Sequence, residues 1–256
     1  MRLTILGCSG SLGAPGNPGS SYLITTPGNP GLLMDFGPGA LAAMQRVHDP
    51  ADAHVIFSHL HADHCSDVPS LLVWRRFHPT APASRRHLMY GPGYAPEHFG
   101  RMASDGPSEI DDISDTFDFR PWVSGEPVDI DDVTVVPVPV EHPAVESHAL
   151  RVTSQTNGAV VAFSGDSGMT PTLVDAARDA DIFLCEAAWG PAAENPAPGM
   201  HLSGVEAGRI AREAGVKKLV LVHIQPWCDK EATREAAREE FSGDIVIGQA
   251  GDTFDL

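Results

Sequence analysis

The densest chemistry in the chain lies in six residues, His59-Leu60-His61-Ala62-Asp63-His64, which hold three imidazoles and one carboxylate. Neutral imidazole nitrogens and carboxylate oxygens are the donors that Zn²⁺ and Mn²⁺ take, and so many together have no packing rationale. In extended backbone, side chains at i and i+2 share a side, so His59 and His61 point together while Asp63 and His64 swing away as the chain turns. Two diverging pairs of donors suit two metal ions. The opposing reading, an incidental group of solvent-facing turn residues, explains a lone histidine better than it explains this cluster.

The same residue types recur where other strands should end. Residues 54–57, His-Val-Ile-Phe, are short, apolar and β-branched, so the spacing predicts a strand that stops where the histidines begin. After it, Val68, Leu71, Leu72 and Phe77 fall at helical spacing, predicting a helix that starts near Ser66 or Asp67. Residues 133–140 are apolar but hold Pro137 and Pro139, which predicts an edge strand or an early break before Glu141-His142-Pro143. Residues 148–153 and 159–163 read as a hairpin through Thr156-Asn157-Gly158, delivering Asp166 in the turn Ser164-Gly165-Asp166-Ser167-Gly168. Residues 181–185 and 218–222 are strands ending in Glu186 and His223, and Ser203 with Glu206 predicts a capping box for a helix over 203–214. Metal-type residues thus recur on one rim.

Several features read plainly. Gly7-Cys8-Ser9-Gly10-Ser11-Leu12-Gly13 follows a strand over 2–6 and can present amides to a phosphate, yet no helix follows and the P-loop lysine is missing. Residues 21–25 and 32–35 form a hairpin, with Asp35-Phe36-Gly37-Pro38-Gly39 stopping the second strand. The stretch 77–137 is less legible; it predicts a strand over 87–90, a helix over 96–103 and a solvated acidic segment over 109–118. Arg75-Arg76 and Arg85-Arg86 read as a solvated helix end and loop. Cys65 reads as a small buried filler. Trp74 and Trp227 are open between a base-binding wall and core packing. His54, His78, His87, His98 and His148 have no ligand context.

At 256 residues, with no linker-like segment, the chain is expected to be a single domain over 1–256. Its four cysteines are far apart and form no Cys-x-x-Cys pair, so neither a disulfide framework nor a structural zinc knuckle is indicated. No run approaches the ~20 apolar residues of a membrane span, and no signal peptide pattern opens the chain, so the expected compartment is the cytoplasm. Thirty-four acidic against seventeen basic residues give a net charge of −17, which opposes long nucleic acid because phosphate binding depends on Lys and Arg. A small anionic phosphodiester remains feasible where metal ions offset that charge.

On these residues the chain resembles the metallo-β-lactamase-fold hydrolases. His59-Leu60-His61-Ala62-Asp63-His64 matches their His-x-His-x-Asp-His signature, with His142, Asp166 and His223 following in the right order. The resemblance implies an α+β, four-layer αββα sandwich with a dinuclear centre on one edge: His59, His61 and His142 on one ion, Asp63, His64 and His223 on the other, Asp166 bridging. It implies two divalent ions, with Zn²⁺ expected and Mn²⁺ also accepted. His201-Leu202-Ser203-Gly204 and Phe183-Leu184-Cys185-Glu186-Ala187 are similar to motifs of the short ribonuclease Z-like branch, and imply His201 as a general acid held by Glu186. Asp63 also orients the attacking water in that scheme.

Only twenty-three residues separate His142 from Asp166. That is too few for the arm with which ribonuclease Z enzymes grip transfer RNA. The pattern, with Val73-Trp74-Arg75-Arg76 and Pro226-Trp227, looks closest to bacterial cyclic-nucleotide phosphodiesterases of this fold. The expected function is a dinuclear phosphodiesterase converting 3′,5′-cyclic nucleotides, cAMP favoured, to 5′-nucleotides. The alternatives are a ribonuclease Z-like endonuclease on tRNA 3′ ends and, from another class, a noncatalytic metal-binding sensor. The architecture allows a homodimer, though no sequence feature marks its interface.

Overall fold

Runs of β-branched and apolar residues pair into two seven-stranded sheets, and helices with one apolar face close each outer side. This computed structural model describes residues 1–192 and 196–256. The first sheet contains β1 (Arg2–Gly7), β2 (Ser21–Thr25), β3 (Gly31–Met34), β4 (Ala53–Ile56), β5 (His87–Gly91), β6 (Phe117–Pro121) and, from the far end of the chain, β14 (Thr253–Asp255). Its order is β14-β1-β2-β3-β4-β5-β6, with β3 to β6 parallel. The second contains β7 (Val128–Ile130), β8 (Val133–Pro139), β9 (His148–Ser154), β10 (Val160–Phe163), β11 (Ile182–Glu186), β12 (Lys218–Val222) and β13 (Asp244–Ile247), in the order β13-β12-β11-β10-β9-β8-β7.

The interior is built in three apolar layers. Between the sheets lie Ile5, Tyr22, Ile56, Phe163, Leu184 and Val220. Outside the first sheet, Phe57, Leu71 and Phe99 pack under α1 (Ala40–Met44), α3 (Val68–Phe77) and α4 (Ala95–Ala103). Outside the second, Leu173, Phe183, Ile210 and Ala237 pack with α5 (Pro171–Ala177), α6 (Gly204–Ala214) and α7 (Lys230–Glu240). This is the αββα metallo-β-lactamase fold. No described helix is long and apolar enough to cross a membrane.

Local chemistry accounts for most boundaries. Ser203 caps α6 with Glu206 reaching back to its amide, and Gly215 ends that helix in the left-handed region. Parallel β10 to β12 are buried almost throughout, as apolar strands covered on both faces must be. The prolines of β8 are resolved by register: β9 pairs along the whole strand, but β7 reaches only Val133 to Val135. Pro137 and Pro139 therefore lie beyond the reach of β7, where a missing N–H costs no ladder bond.

The helix expected near Ser66 or Asp67 runs from Val68 with Asp67 as its N-cap, and a one-turn helix α2 (Ala62–Cys65) precedes it inside the signature. Two expectations need correction. The stretch 77–137 holds strands β6 and β7, and its acidic segment is partly engaged: Asp111 and Asp115 bind Arg76, and Ile113 is buried. Arg75 is no solvated helix end. Its guanidinium is buried, donates to the carbonyls of Pro50 (2.9 Å) and Ala53 (2.6 Å) and covers the Phe117 ring.

Candidate metal centre

The C-terminal ends of parallel strands meet at one rim, the place where open α/β sheets put their ligands. There β4 leads into His59, His61, Asp63 and His64; β8 into His142; β10 into Asp166; β11 into Glu186; and β12 into His223. His59, His61 and His142 bring one donor atom each within 4.8 Å of one another, and Asp63, His64, Asp166 and His223 do the same. Asp166 stands between the two groups. Its Oδ1 is 3.1 Å from His64 Nε2 and 3.4 Å from His223 Nε2, while its Oδ2 is 3.9 Å from Nε2 of both His59 and His142.

Hydrogen-bond partners behind the rings decide which nitrogen faces inward. His142 Nδ1 lies 2.7 Å from the Met200 carbonyl, which can only accept, so Nδ1 carries the proton and Nε2 the lone pair. His64 Nδ1 lies 2.7 Å from Asp35 Oδ2 and is fixed in the same tautomer. Ser58 Oγ donates to Asp35 Oδ2 (2.7 Å) and accepts from His59 Nδ1 (3.1 Å), which turns the His59 lone pair inward as well. One buried carboxylate thus orients a histidine in each group.

The facing atoms fit divalent ions rather than one another. His142 Nε2 is 3.0 Å from His61 Nδ1, and His64 Nε2 is 3.3 Å from His223 Nε2. Two lone pairs at those distances repel unless a proton or a metal ion stands between them. His59 Nε2 is buried with no hydrogen-bond partner among the described residues. Burial opposes charge on His64, but Asp166, Asp63 and Asp35 outweigh it and push its pKa well above the ordinary value. Burial likewise opposes ionisation of Asp63, but His64 and His223 hold its carboxyl well below the usual range. Burial and the neighbouring His64 push His59 well below its ordinary value, and burial pushes His142 down to about 4. The pocket therefore holds neutral nitrogens on His59 and His142 beside an ionised Asp63 and draws a proton onto His64, so it attracts positive charge with the nitrogen and oxygen donors that Zn²⁺, Mn²⁺ or Fe²⁺ accept.

His201 leans over this centre. Its Nδ1 is 3.0 Å from Glu186 Oε1 and 3.8 Å from Asp166 Oδ2, and its ring meets the Trp189 edge at 5.3 Å. Glu186 is wholly buried and accepts from the amides of Ser167 (2.8 Å), Ala188 (3.1 Å) and Leu202 (3.2 Å). Burial would lower the His201 pKa, but the bond to Glu186 and the charges of Glu186 and Asp166 raise it to about 9.

Other candidates lie elsewhere. Trp74 packs against His78 with ring centroids 4.4 Å apart, and Trp227 is 67% exposed. His148 bonds Ser124 Oγ, His78 accepts from Ala81 N, and His54 faces Asp131. Cys65 is buried under Leu60.

The sequence reading passed over Asp35, Ser58, the Met200 carbonyl and Trp189. Asp35 carried a usable signal: it directly follows β3, two residues before Gly37-Pro38-Gly39, much as Asp166 follows β10. Backbone strain marks the same place. Of five non-glycine residues with positive φ among the described residues, Ser11 (62°), Asp35 (58°) and His223 (53°) surround the centre.

Residues 31–224 match the family model described as the beta-lactamase superfamily domain. The uncharacterized protein ML1173 of Mycobacterium leprae is 48% identical over 256 residues, covering 100% of this chain and 89% of its own. The probable metallo-hydrolase YhfI of Bacillus subtilis is 26% identical over 254 residues, 98% of each chain. The crystal structure of YhfI shares the fold with a TM-score of 0.85 over 99% of this chain and 98% of that one, at 24% identity. Human tRNase Z, short form, reaches 0.76 at 18% identity, covering 100% of this chain and 99% of its own. Unliganded yeast PDE1 reaches 0.75 at 14%, with the same coverage.

Proposed function

The chain belongs to the beta-lactamase superfamily and is a metallo-hydrolase of that fold, and from that premise we propose a dinuclear phosphodiesterase acting on 3′,5′-cyclic nucleotides, cAMP favoured. His59, His61 and His142 would hold one divalent ion and Asp63, His64 and His223 the other, with Asp166 placed to serve both. The observation that carries this reading is Asp166, which aims one oxygen at each group of histidines. When bound, two such ions lower the pKa of a water and offset charge on the attacking and leaving oxygens of a phosphodiester.

The remaining steps belong to the chain. Asp63 Oδ2, 2.9 Å from His223 Nε2, stays ionised and orients the attacking water by accepting its hydrogen bond. Opening a cyclic phosphodiester leaves an alkoxide that needs a proton. His201, with a pKa raised to about 9, holds that proton at neutral pH. Glu186 turns the ring so that Nδ1 faces inward to the carboxylate and Nε2 is free to donate.

Substrate class follows from size and charge. Between His142 and Asp166 the chain spends its residues on β9, β10 and their turn, which leaves no arm to grip a folded RNA. The net charge of −17 repels a polyanion but not a mononucleotide held at two cations. Yeast PDE1 shares the fold alone at this identity, and supports the reading only to that extent. The test is incubation of Zn²⁺- or Mn²⁺-loaded protein with cAMP, cGMP and precursor tRNA. Release of 5′-AMP is expected; inert cyclic nucleotides beside trimmed tRNA would overturn the proposal.

A further inference from the structure

The glycine- and serine-rich loop after β1 is laid against the His223 segment. Cys8 accepts from the His223 amide (2.9 Å), Ser9 forms a parallel bridge with Ile224, and the Gly10 amide donates to the Ile224 carbonyl (3.3 Å). A Cβ on Gly10 would stand 2.2 Å from the His223 carbonyl oxygen, so only glycine permits this approach. The next residue, Ser11, is held at φ 62° while Gln225 Nε2 donates to its Oγ (3.0 Å). That conformation directs the Ser11 amide at His223 Nε2, 3.2 Å away.

His223 Nε2 is an unusual target for an amide. The same nitrogen lies 2.9 Å from Asp63 Oδ2 and 3.3 Å from His64 Nε2, at the convergence of the second donor group. An N–H carries partial positive charge toward its acceptor, and here it carries that charge toward a place that suits a cation. Once His223 Nε2 gives its lone pair to an ion, the Ser11 N–H loses that acceptor and is left facing the centre, where an anion held by the ion would replace it. We propose that the Ser11 main-chain N–H is an anion-binding donor, taking a non-bridging oxygen of the phosphoryl group that the centre holds. The inference rests on the ion-binding reading of the centre but not on cyclic nucleotides as its substrate. The loop thereby contributes a charge-assisted hydrogen bond of the kind that orients phosphates elsewhere, without a following helix or a lysine.

The experiment uses ¹⁵N-labelled, Zn²⁺-loaded full-length protein titrated with inorganic phosphate. The Ser11 amide proton should move downfield along a saturable curve, further than the amides of Gly28 and Gly125 in distant turns. A Gly10→Ala variant that keeps its zinc content should bind phosphate about tenfold more weakly, which is the ~1.4 kcal/mol of one hydrogen bond to a charged oxygen. A Ser11 amide that does not move while the zinc-site histidine resonances respond to phosphate overturns the proposal and leaves the phosphodiesterase reading intact. A Ser11 shift in a protein that leaves cAMP untouched supports the donor and counts against that reading.

Discussion

Both ends of the sandwich carry histidines beside aspartates, and only one end gathers them. At the rim described above, protein partners take the outer nitrogens of His59, His64 and His142, so their lone pairs point inward. At the opposite ends of β4 and β5, His54 and His87 lie with ring centroids 5.2 Å apart, next to Asp52 and Asp131. There His54 Nδ1 accepts from the Leu88 amide (2.9 Å), which fixes the proton on Nε2 and spends it on Asp131 (3.1 Å). The buried guanidinium of Arg75 adds its own positive charge, and burial with Arg75 pushes His87 down to about 3. Residue types do not make a metal centre; the direction of lone pairs and the sign of the surrounding charge do.

Removing the shared carboxylate should break the contrast most severely. Asp166→Asn keeps shape but loses the charge common to both groups, and is expected to reduce bound metal below two ions and turnover to background. Metal analysis by mass spectrometry beside a phosphodiester assay checks it. Next is His201→Ala, which should slow turnover by ~10²- to 10⁴-fold with metal content unchanged, as loss of a proton donor predicts. A noncatalytic metal-binding sensor would have no rate to lose. With His201 at about 9, kcat/KM should fall as pH rises through that value, and His201→Ala should remove this limb.

A smaller effect is expected from Asp35→Asn, which leaves every inward-facing donor present but unfastens His64 and Ser58. Metal affinity measured against a competing chelator should weaken by ~10- to 100-fold, the usual size for a residue that orients a ligand. The effect with no bearing on metal or turnover belongs to the other rim. His87 is neutral in the folded chain and takes up a proton on unfolding below its ordinary value of 6.5, so its contribution is intact above that pH. Stability should decline by roughly 1 kcal/mol per pH unit as pH falls from about 6.5 toward about 3. His87→Gln should flatten that decline in urea titrations and leave metal content unchanged; a change in metal content would erase the distinction between the two ends.

How much of this was legible depends on how local the cause is. The signature, the capping box of α6 and strand β12 are decided within a few residues, and all three appear where the sequence places them. Asp35 and Arg75 went unrecognised because their roles depend on partners far along the chain: Asp35 serves Ser58 and His64, and Arg75 serves Pro50 and Ala53. Strand β6, Phe-Asp-Phe-Arg-Pro, is an edge strand with charged and proline positions, so it resembles the acidic loop before it. Ser11 is visible only once the loop after β1 has been set against His223.

The measurement closest to the central claim is anomalous diffraction at the zinc edge from crystals of the Zn²⁺-loaded protein. Two peaks are predicted, one enclosed by His59, His61 and His142, the other by Asp63, His64 and His223, with Asp166 between them. A single peak, or a peak beside His54 and His87 instead, would contradict the account.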